Sequence, residues 1–269
     1  MRAGLALWCA AMAGYALLYI PLAIVVLFSF NDSELNAQWM GFTTRWYATL
    51  LRDADMLAAA RNSLVIASIS STLSTLLGTM AGIAMHKYRF RVLPVLVLAP
   101  VAMPEILLGV SLLLFFRQML DLTLGFWSIL VSHITFSLGA VAIIVHSRLI
   151  GMDKNVFEAA RDLGANPWKT FRHVTLPLIL PAVVAGFLIA FTLSIDDFVI
   201  TFFNAGVGVK TLPLQIYSMI KVAVTPEVNA VSTLLMTVTL TMIVAASRIS
   251  PEVLHGRLHA HKSTGRKRA

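Results

Sequence analysis

Three acidic side chains, Glu105, Asp196 and Asp197, stand in apolar runs of a 269-residue chain, and no Lys or Arg lies deep inside those runs to match them. A charged group at the centre of a bilayer costs about 2.5 to 3.5 kcal/mol on insertion scales, so such residues usually face a bundle interior, a wet path or a partner. Spaced carboxylates suit a cation, because they replace the hydration that an ammonium group gives up. An amine keeps its charge near pH 7, since amine pKa values lie near 10. In FTLSIDDFVITFF, residues 191–203, the two aspartates are neighbours in sequence. On a continuous helix they lie about 100° apart, so one can point along a path while the other caps broken backbone or pairs with a partner. Glu105 follows Pro104 in APVAMPEILLG, and Pro100, Pro104 and Gly109 together predict an irregular helix near mid-membrane. Proline removes a donor and frees a carbonyl, which is tolerated where the opened backbone faces protein or water. Aromatic faces such as Phe198, Phe202 and Tyr19 can add cation–π contacts worth roughly 0.5 to 2 kcal/mol each, although packing on lipid or core is the commoner use of such rings. The candidate substrate path is therefore Asp196, Asp197, Glu105, Tyr19 and Phe198.

Other chemistries find less support. Ser, His and Asp occur, but not in a nucleophile–base arrangement, so no catalytic residue is expected. A G-x-x-x-x-G-K-[ST] phosphate loop is absent, and GVGVKT at 206–211 has the wrong spacing. His133 and His146 share one apolar segment; packing or hydrogen bonding to a neighbouring helix is a better account of them than metal. The one cysteine, Cys9, excludes an intrachain disulfide and a multi-cysteine zinc site.

The elements that must position these acids are membrane helices. The chain is 58% hydrophobic and 13% charged, far from the soluble balance of roughly half apolar and about a quarter charged. Apolar blocks near 5–30, 62–85, 92–116, 127–147, 179–203 and 228–247 each reach the roughly 17 to 25 residues a spanning helix needs. The first runs past the ~7–15 residues of a signal-peptide core and is read as an uncleaved span. The expected fold is an all-α, six-span membrane domain over 1–247, with a basic, disordered tail at 248–269.

Net charge is +8. With six spans, the N-terminus, the 86–91 and 148–178 loops and the tail share one side. They hold 15 of the 21 Lys and Arg residues, and the opposite side holds 6. That bias places both termini in the cytoplasm and accounts for the basic charge without nucleic acid. The tail is expected near anionic lipid headgroups. On the outer side, 31–61 carries Trp39, Trp46 and Tyr47, and TLPLQIYSMIKV within 204–227 predicts a short helix.

The inner loop RLIGMDKNVFEAARDLGANPWKTFRHVTLPL, 148–178, predicts helix, tight turn, helix. Asp153 is placed to cap a helix running to Leu163, with Val156, Ala160 and Leu163 on one apolar face. Gly164 is a natural stop. Asn166 and Pro167 restart a helix that Pro177 should end. Small residues at Ala159 and Ala160 allow close approach by another surface.

Glu158-Ala159-Ala160, then Gly164, then Val174-Thr175-Leu176-Pro177, resembles the coupling motif of ABC importer permeases, with valine where that family usually has isoleucine. YIPLAIVVLFSFN, GFTTRWY, LGFWSILVSHITFSLG, LSIDDFV and LPLQIYSMIKVAVTPEVNA are similar to the spermidine/putrescine importer permeases, in particular the second of their two permease subunits. The tail shows no such match. The resemblance implies a type I ABC importer permease fold in a bacterial inner membrane. It implies that Glu158, Ala159, Ala160, Asp162, Leu163 and Gly164 form a cytoplasmic coupling helix seated on an ATPase. It also implies three partners: a homologous permease, a dimeric ATPase that binds ATP and Mg, and a periplasmic polyamine-binding protein. An ion-coupled carrier or cation channel working alone, or an ABC permease for another small solute, stays open on the residues alone.

Overall fold

The computed structural model describes residues 2–33, 38–88 and 92–249. The tail 250–269 and the inner-loop basic residues Arg89 and Arg91 lie outside the described residues. Every regular element among the described residues is helical. Helix α1 spans Arg2–Phe28, α2 Arg45–Leu50, α3 Ala54–Lys87, α4 Val92–Ala102, α5 Glu105–Leu114 and α6 Phe126–Ile150. They are followed by α7 Lys154–Asp162, α8 Pro167–Thr170, α9 Leu176–Ile195, α10 Val199–Asn204, α11 Leu212–Ile220 and α12 Pro226–Ile249. Five helical stretches are each long and apolar enough to cross a membrane, and a bent pair, α4 with α5 and its π-helical end at Met119, makes six when counted as one crossing.

The helix boundaries depart from the sequence reading in three places. The segment expected at 92–116 is not one helix: α4 and α5 meet at 106° across Met103 and Pro104. Proline disfavours the helical conformation in the residue before it, and Pro104 is itself extended, at ψ 133. The second span begins at Ala54 rather than 62, because Asp53 Oδ1 accepts the amides of Asp55 and Met56 at 2.8 and 3.1 Å and caps it. The fifth span is helical from Pro167, through a π-helical turn at Phe171–Thr175, to Ile195. Pro177 does not end it. The wider turn takes up the hydrogen-bond register just ahead of Pro177, whose missing N–H then falls at the start of α9. The same span breaks at 196–198, short of the expected 203.

The chain divides into two compact units. In the first, residues up to 62 with 210–238, Leu50, Met56, Ala230 and Val231 form a core on which Trp46, Leu212 and Ile216 pack. The predicted short helix in TLPLQIYSMIKV is α11. Asn31, fully buried, ties the loop after α1: its side chain donates to the Gln38 carbonyl and accepts from the Met40 amide, at 2.8 and 2.9 Å. None of α1's most apolar window is buried.

In the second unit, residues 63–209 with 239 onward, α6 is the most enclosed helix. Glycines let its neighbours approach. A Cβ on Gly78 of α3 would stand 2.7 Å from Val141 Cβ, and one on Gly139 of α6 would stand 2.7 Å from the Val97 carbonyl of α4. In lipid, where helix association lacks a hydrophobic drive, such close backbone approach supplies the packing. Val141, Val145 and Leu149 of α6 then meet Ile179 and Ala190 of α9.

Candidate functional site

Two interrupted spans carry the three acids. Met103 and Pro104 open the chain between α4 and α5, and Glu105 is the first residue of α5. Asp196, Asp197 and Phe198 open it between α9 and α10. The second halves pack on each other. A Cβ on Gly109 of α5 would lie 3.0 Å from Phe203 and 3.4 Å from the Ile200 Cα of α10, so glycine sets that distance. Asn204 Nδ2 donates to the Gly109 carbonyl at 3.2 Å, joining α10 to α5, and Ser128 of α6 donates to the Asn204 carbonyl at 2.7 Å.

The adjacent aspartates have opposite fates. Asp197 is 9% exposed. Its Oδ2 accepts the Thr201 amide and the Thr201 hydroxyl, each at 2.8 Å, and its Oδ1 accepts the Ile200 amide at 3.4 Å. These are first-turn donors of α10 that no carbonyl of that helix can reach. His133 Nε2 of α6 lies 3.2 Å from the same Oδ2. The ring's other nitrogen meets Ser194 Oγ at 2.7 Å, and Ser194 in turn meets Ser70 of α3 at 2.9 Å. All of these side chains are buried. Asp196, by contrast, is exposed at the end of α9, and Glu105 is exposed at the start of α5. Among the described residues neither forms an ion pair.

The idea that the aspartates lie about 100° apart on one helix is therefore corrected, because the helix ends between Ile195 and Val199. No Lys or Arg lies deep in those runs, but His133 meets Asp197. The expectation that His133 bonds to a neighbouring helix holds. What the sequence reading missed was the acceptor. The signal for it was an imidazole in an apolar span, since buried polar groups must find partners. Phe198 is half-buried and Tyr19 is exposed on α1, in the other unit. Among the described residues, no group of three or more His, Cys, Asp or Glu side chains is placed to hold a metal.

The 148–178 loop is built as its capping residues require. Asp153 accepts the Asn155 amide at 3.0 Å, and Asn166 accepts the Lys169 amide at 2.8 Å, with Pro167 opening α8. Gly164 has φ +77, and the Gly164 and Ala165 amides donate back to the Arg161 and Ala160 carbonyls at 2.8 and 3.0 Å. This pair of bonds is the Schellman stop of a helix. Of the three residues on the expected apolar face, Ala160 is buried within the chain, whereas Val156 is exposed and Leu163 is 88% exposed. α7 rests on α8 and the π turn through the Phe157–Ala160 side, which leaves Glu158, Ala159, Asp162, Leu163 and Gly164 facing out.

Residues 74–260 match the family described as the binding-protein-dependent transport system inner membrane component. The chain belongs to that family. The permease is 44% identical over 245 residues to the spermidine/putrescine transport system permease protein PotC of Escherichia coli, covering 90% of this chain and 92% of that one. It is 41% identical over 244 residues to the PotC protein of Haemophilus influenzae, covering 90% and 95%. It is 41% identical over 234 residues to the putrescine transport system permease protein PotI of Escherichia coli, covering 84% and 83%. Its fold matches a chain of a bacterial ABC transporter that imports alginate, with TM-score 0.70 at 17% identity over 94% of this chain and 96% of that one. It also matches a chain of the methionine ABC transporter MetNI, with TM-score 0.62 at 20% identity over 79% and 99%. The permease is thus an all-helical, multi-pass inner-membrane component with the ABC importer permease fold. Family membership sets aside the carrier or channel working alone.

Proposed function

We propose that this permease forms half of the membrane path of an ATP-driven importer for polyamines such as spermidine and putrescine. The observation that carries the reading is the pair of exposed, unpaired carboxylates, Glu105 and Asp196, at the breaks of two spans that pack together. Irregular backbone at membrane depth is stable only where it faces protein or water, and broken helices are where substrate sites of transporters are built. Two exposed carboxylates at the breaks of packed spans suit a ligand with spaced ammonium groups. Relatives more than 40% identical that are named for spermidine and putrescine support the choice of cation.

A homologous permease supplies the other half of the path, and a polyamine-binding protein delivers substrate from the periplasm. ATP and Mg bind an ATPase on the cytoplasmic side, where hydrolysis occurs, and this chain is not itself an enzyme. Glu158, Ala159, Asp162, Leu163 and Gly164 on the open side of α7 meet that ATPase, with Ala160 behind them in contact with the bundle. Both termini lie in the cytoplasm, in line with the Lys and Arg bias. Residues 1–247 form the permease domain and 248–269 the basic tail; α12 carries helix to Ile249. The two permeases rock between outward and inward openings as the ATPase closes and reopens.

The test is reconstitution of the full complex in proteoliposomes with putrescine- or spermidine-loaded binding protein. Stimulated ATP hydrolysis with uptake of either amine supports the reading. Uptake of neither, under conditions where another solute is imported, refutes it.

A further inference from the structure

The fifth span is helical from Pro167 through the π turn to Ile195, 29 residues. At 1.5 Å per residue that is roughly 43 Å, against about 30 Å of hydrocarbon, so about nine residues stand outside the core of the bilayer. α10 continues the crossing beyond Ile195, which puts the excess at the Pro167 end. Along this span Val184, Leu180, Leu176, Arg172 and Trp168 recur every four residues, and each is exposed. Residues at that spacing are neighbours on a helix face. The stripe is apolar from 184 to 176 and changes to arginine and tryptophan over the stretch that projects from the core. Lys169, three positions before Arg172, is exposed beside it. The Trp168 ring packs on Phe171, with 5.7 Å between centroids. α7 rests on α8 and the π turn but leaves Trp168, Lys169 and Arg172 open. Among the described residues, neither Lys169 nor Arg172 pairs with an acidic side chain.

We propose that Trp168, Lys169 and Arg172 form a site for an anionic phospholipid of the cytoplasmic leaflet. The indole lies at the boundary between acyl chains and headgroups, where tryptophan is favoured, and the two cations hold the headgroup's negative charge. Continuity with an apolar side of α9 points to lipid rather than a soluble partner, and the two free cations point to an anionic one. The site anchors the second helix of the 148–178 loop at the membrane surface, next to α7. It rests on the cytoplasmic placement of that loop and is independent of the polyamine reading.

The assembled transporter, ATPase included, is placed in phosphatidylcholine bilayers that contain increasing amounts of brominated phosphatidylglycerol or brominated phosphatidylcholine. Quenching of tryptophan emission is followed, and the difference from Trp168→Phe isolates the signal of Trp168. A Lys or Arg near an anionic leaflet is worth about fivefold in binding. Half-quenching of Trp168 therefore needs at least about fivefold less of the anionic lipid than of the zwitterionic one. Lys169→Gln combined with Arg172→Gln brings the two curves together, and each single change brings them part of the way. Both are surface changes, but if the double variant does not assemble, raised salt on the unaltered chain serves instead, since it screens exposed charges. Quenching by neither lipid, coincident curves in the unaltered chain, or a preference that survives both the double change and raised salt overturns the proposal. So does quenching that appears only once the ATPase is stripped away, because the face then belongs to that subunit.

Discussion

Gly164 separates two effects that are usually confounded, backbone strain and the size of a side chain. Its φ of +77 lies in the left-handed region, and nothing stands within 4 Å of where its Cβ would be. Within this chain, then, every replacement meets the same obstacle, the conformation. The left-handed region costs an L residue roughly 1 to 2 kcal/mol, and Asn less than most. Gly164→Asn should therefore be nearly silent in thermal unfolding of the purified permease. Gly164→Ala and Gly164→Trp should each lose about 1 to 2 kcal/mol, with no large difference between them. The ATPase tells them apart. If the open side of α7 and its stop seat on that partner, Trp at 164 is excluded from the interface and Ala is not. Co-purification of the ATPase and coupled uptake should survive Gly164→Ala and fail in Gly164→Trp. A tryptophan variant that keeps full ATPase association and full transport refutes the reasoning. So does one that unfolds several kcal/mol more easily than the alanine variant, since that would reveal a contact inside the chain.

Three further outcomes follow from the geometry. Asp197→Ala removes the acceptor of the Thr201 amide, the Thr201 hydroxyl and His133, and should cost about 3 kcal/mol or more in thermal unfolding, whereas Asp196→Ala, with its carboxylate exposed, should stay within about 0.5 kcal/mol. Gly139→Ala drives a methyl against the Val97 carbonyl and Val101, so it should cost about 1 to 3 kcal/mol by overpacking, readable as a lower unfolding temperature in detergent. Glu105→Gln should leave assembly and ATPase association intact while uptake of a polyamine falls about tenfold, as expected when one charge partner worth about 1.4 kcal/mol is lost.

The parts of this molecule that could be read from the sequence are those decided within a few residues. Apolar length gave the spans, and Asp153, Gly164, Asn166 and Pro167 gave the ends of α7 and the start of α8, because capping and left-handed stops are local chemistry. Pro100, Pro104 and Gly109 announced an irregular helix, though not a bend of 106°. The break at 196–198 was hidden because no proline or glycine marks it: Asp197 caps it by accepting the Ile200 and Thr201 amides, and the histidine of α6 that meets this carboxylate is brought to it only by the folded chain. Which residues of α7 are buried within the chain was hidden for a related reason. Val156, Ala160 and Leu163 obey helical spacing, but what α7 buries is set by where α8 and the π turn lie beneath it. Pro177 was read as a terminator because a π turn, which shifts the register before it, leaves no clear mark in composition.

The central claim is that exposed carboxylates at paired helix breaks carry a polyamine through this permease. It is tested most directly by ATP-driven uptake of radiolabelled putrescine and spermidine into proteoliposomes holding the full complex, with Asp196→Asn compared against the unaltered chain at equal assembly. The account predicts that uptake falls about tenfold or more while the ATPase and the loaded binding protein still associate, the loss expected from removing one charge interaction worth about 1.4 kcal/mol. Undiminished uptake of both amines by Asp196→Asn, and again by Asp196→Asn combined with Glu105→Gln, would contradict it.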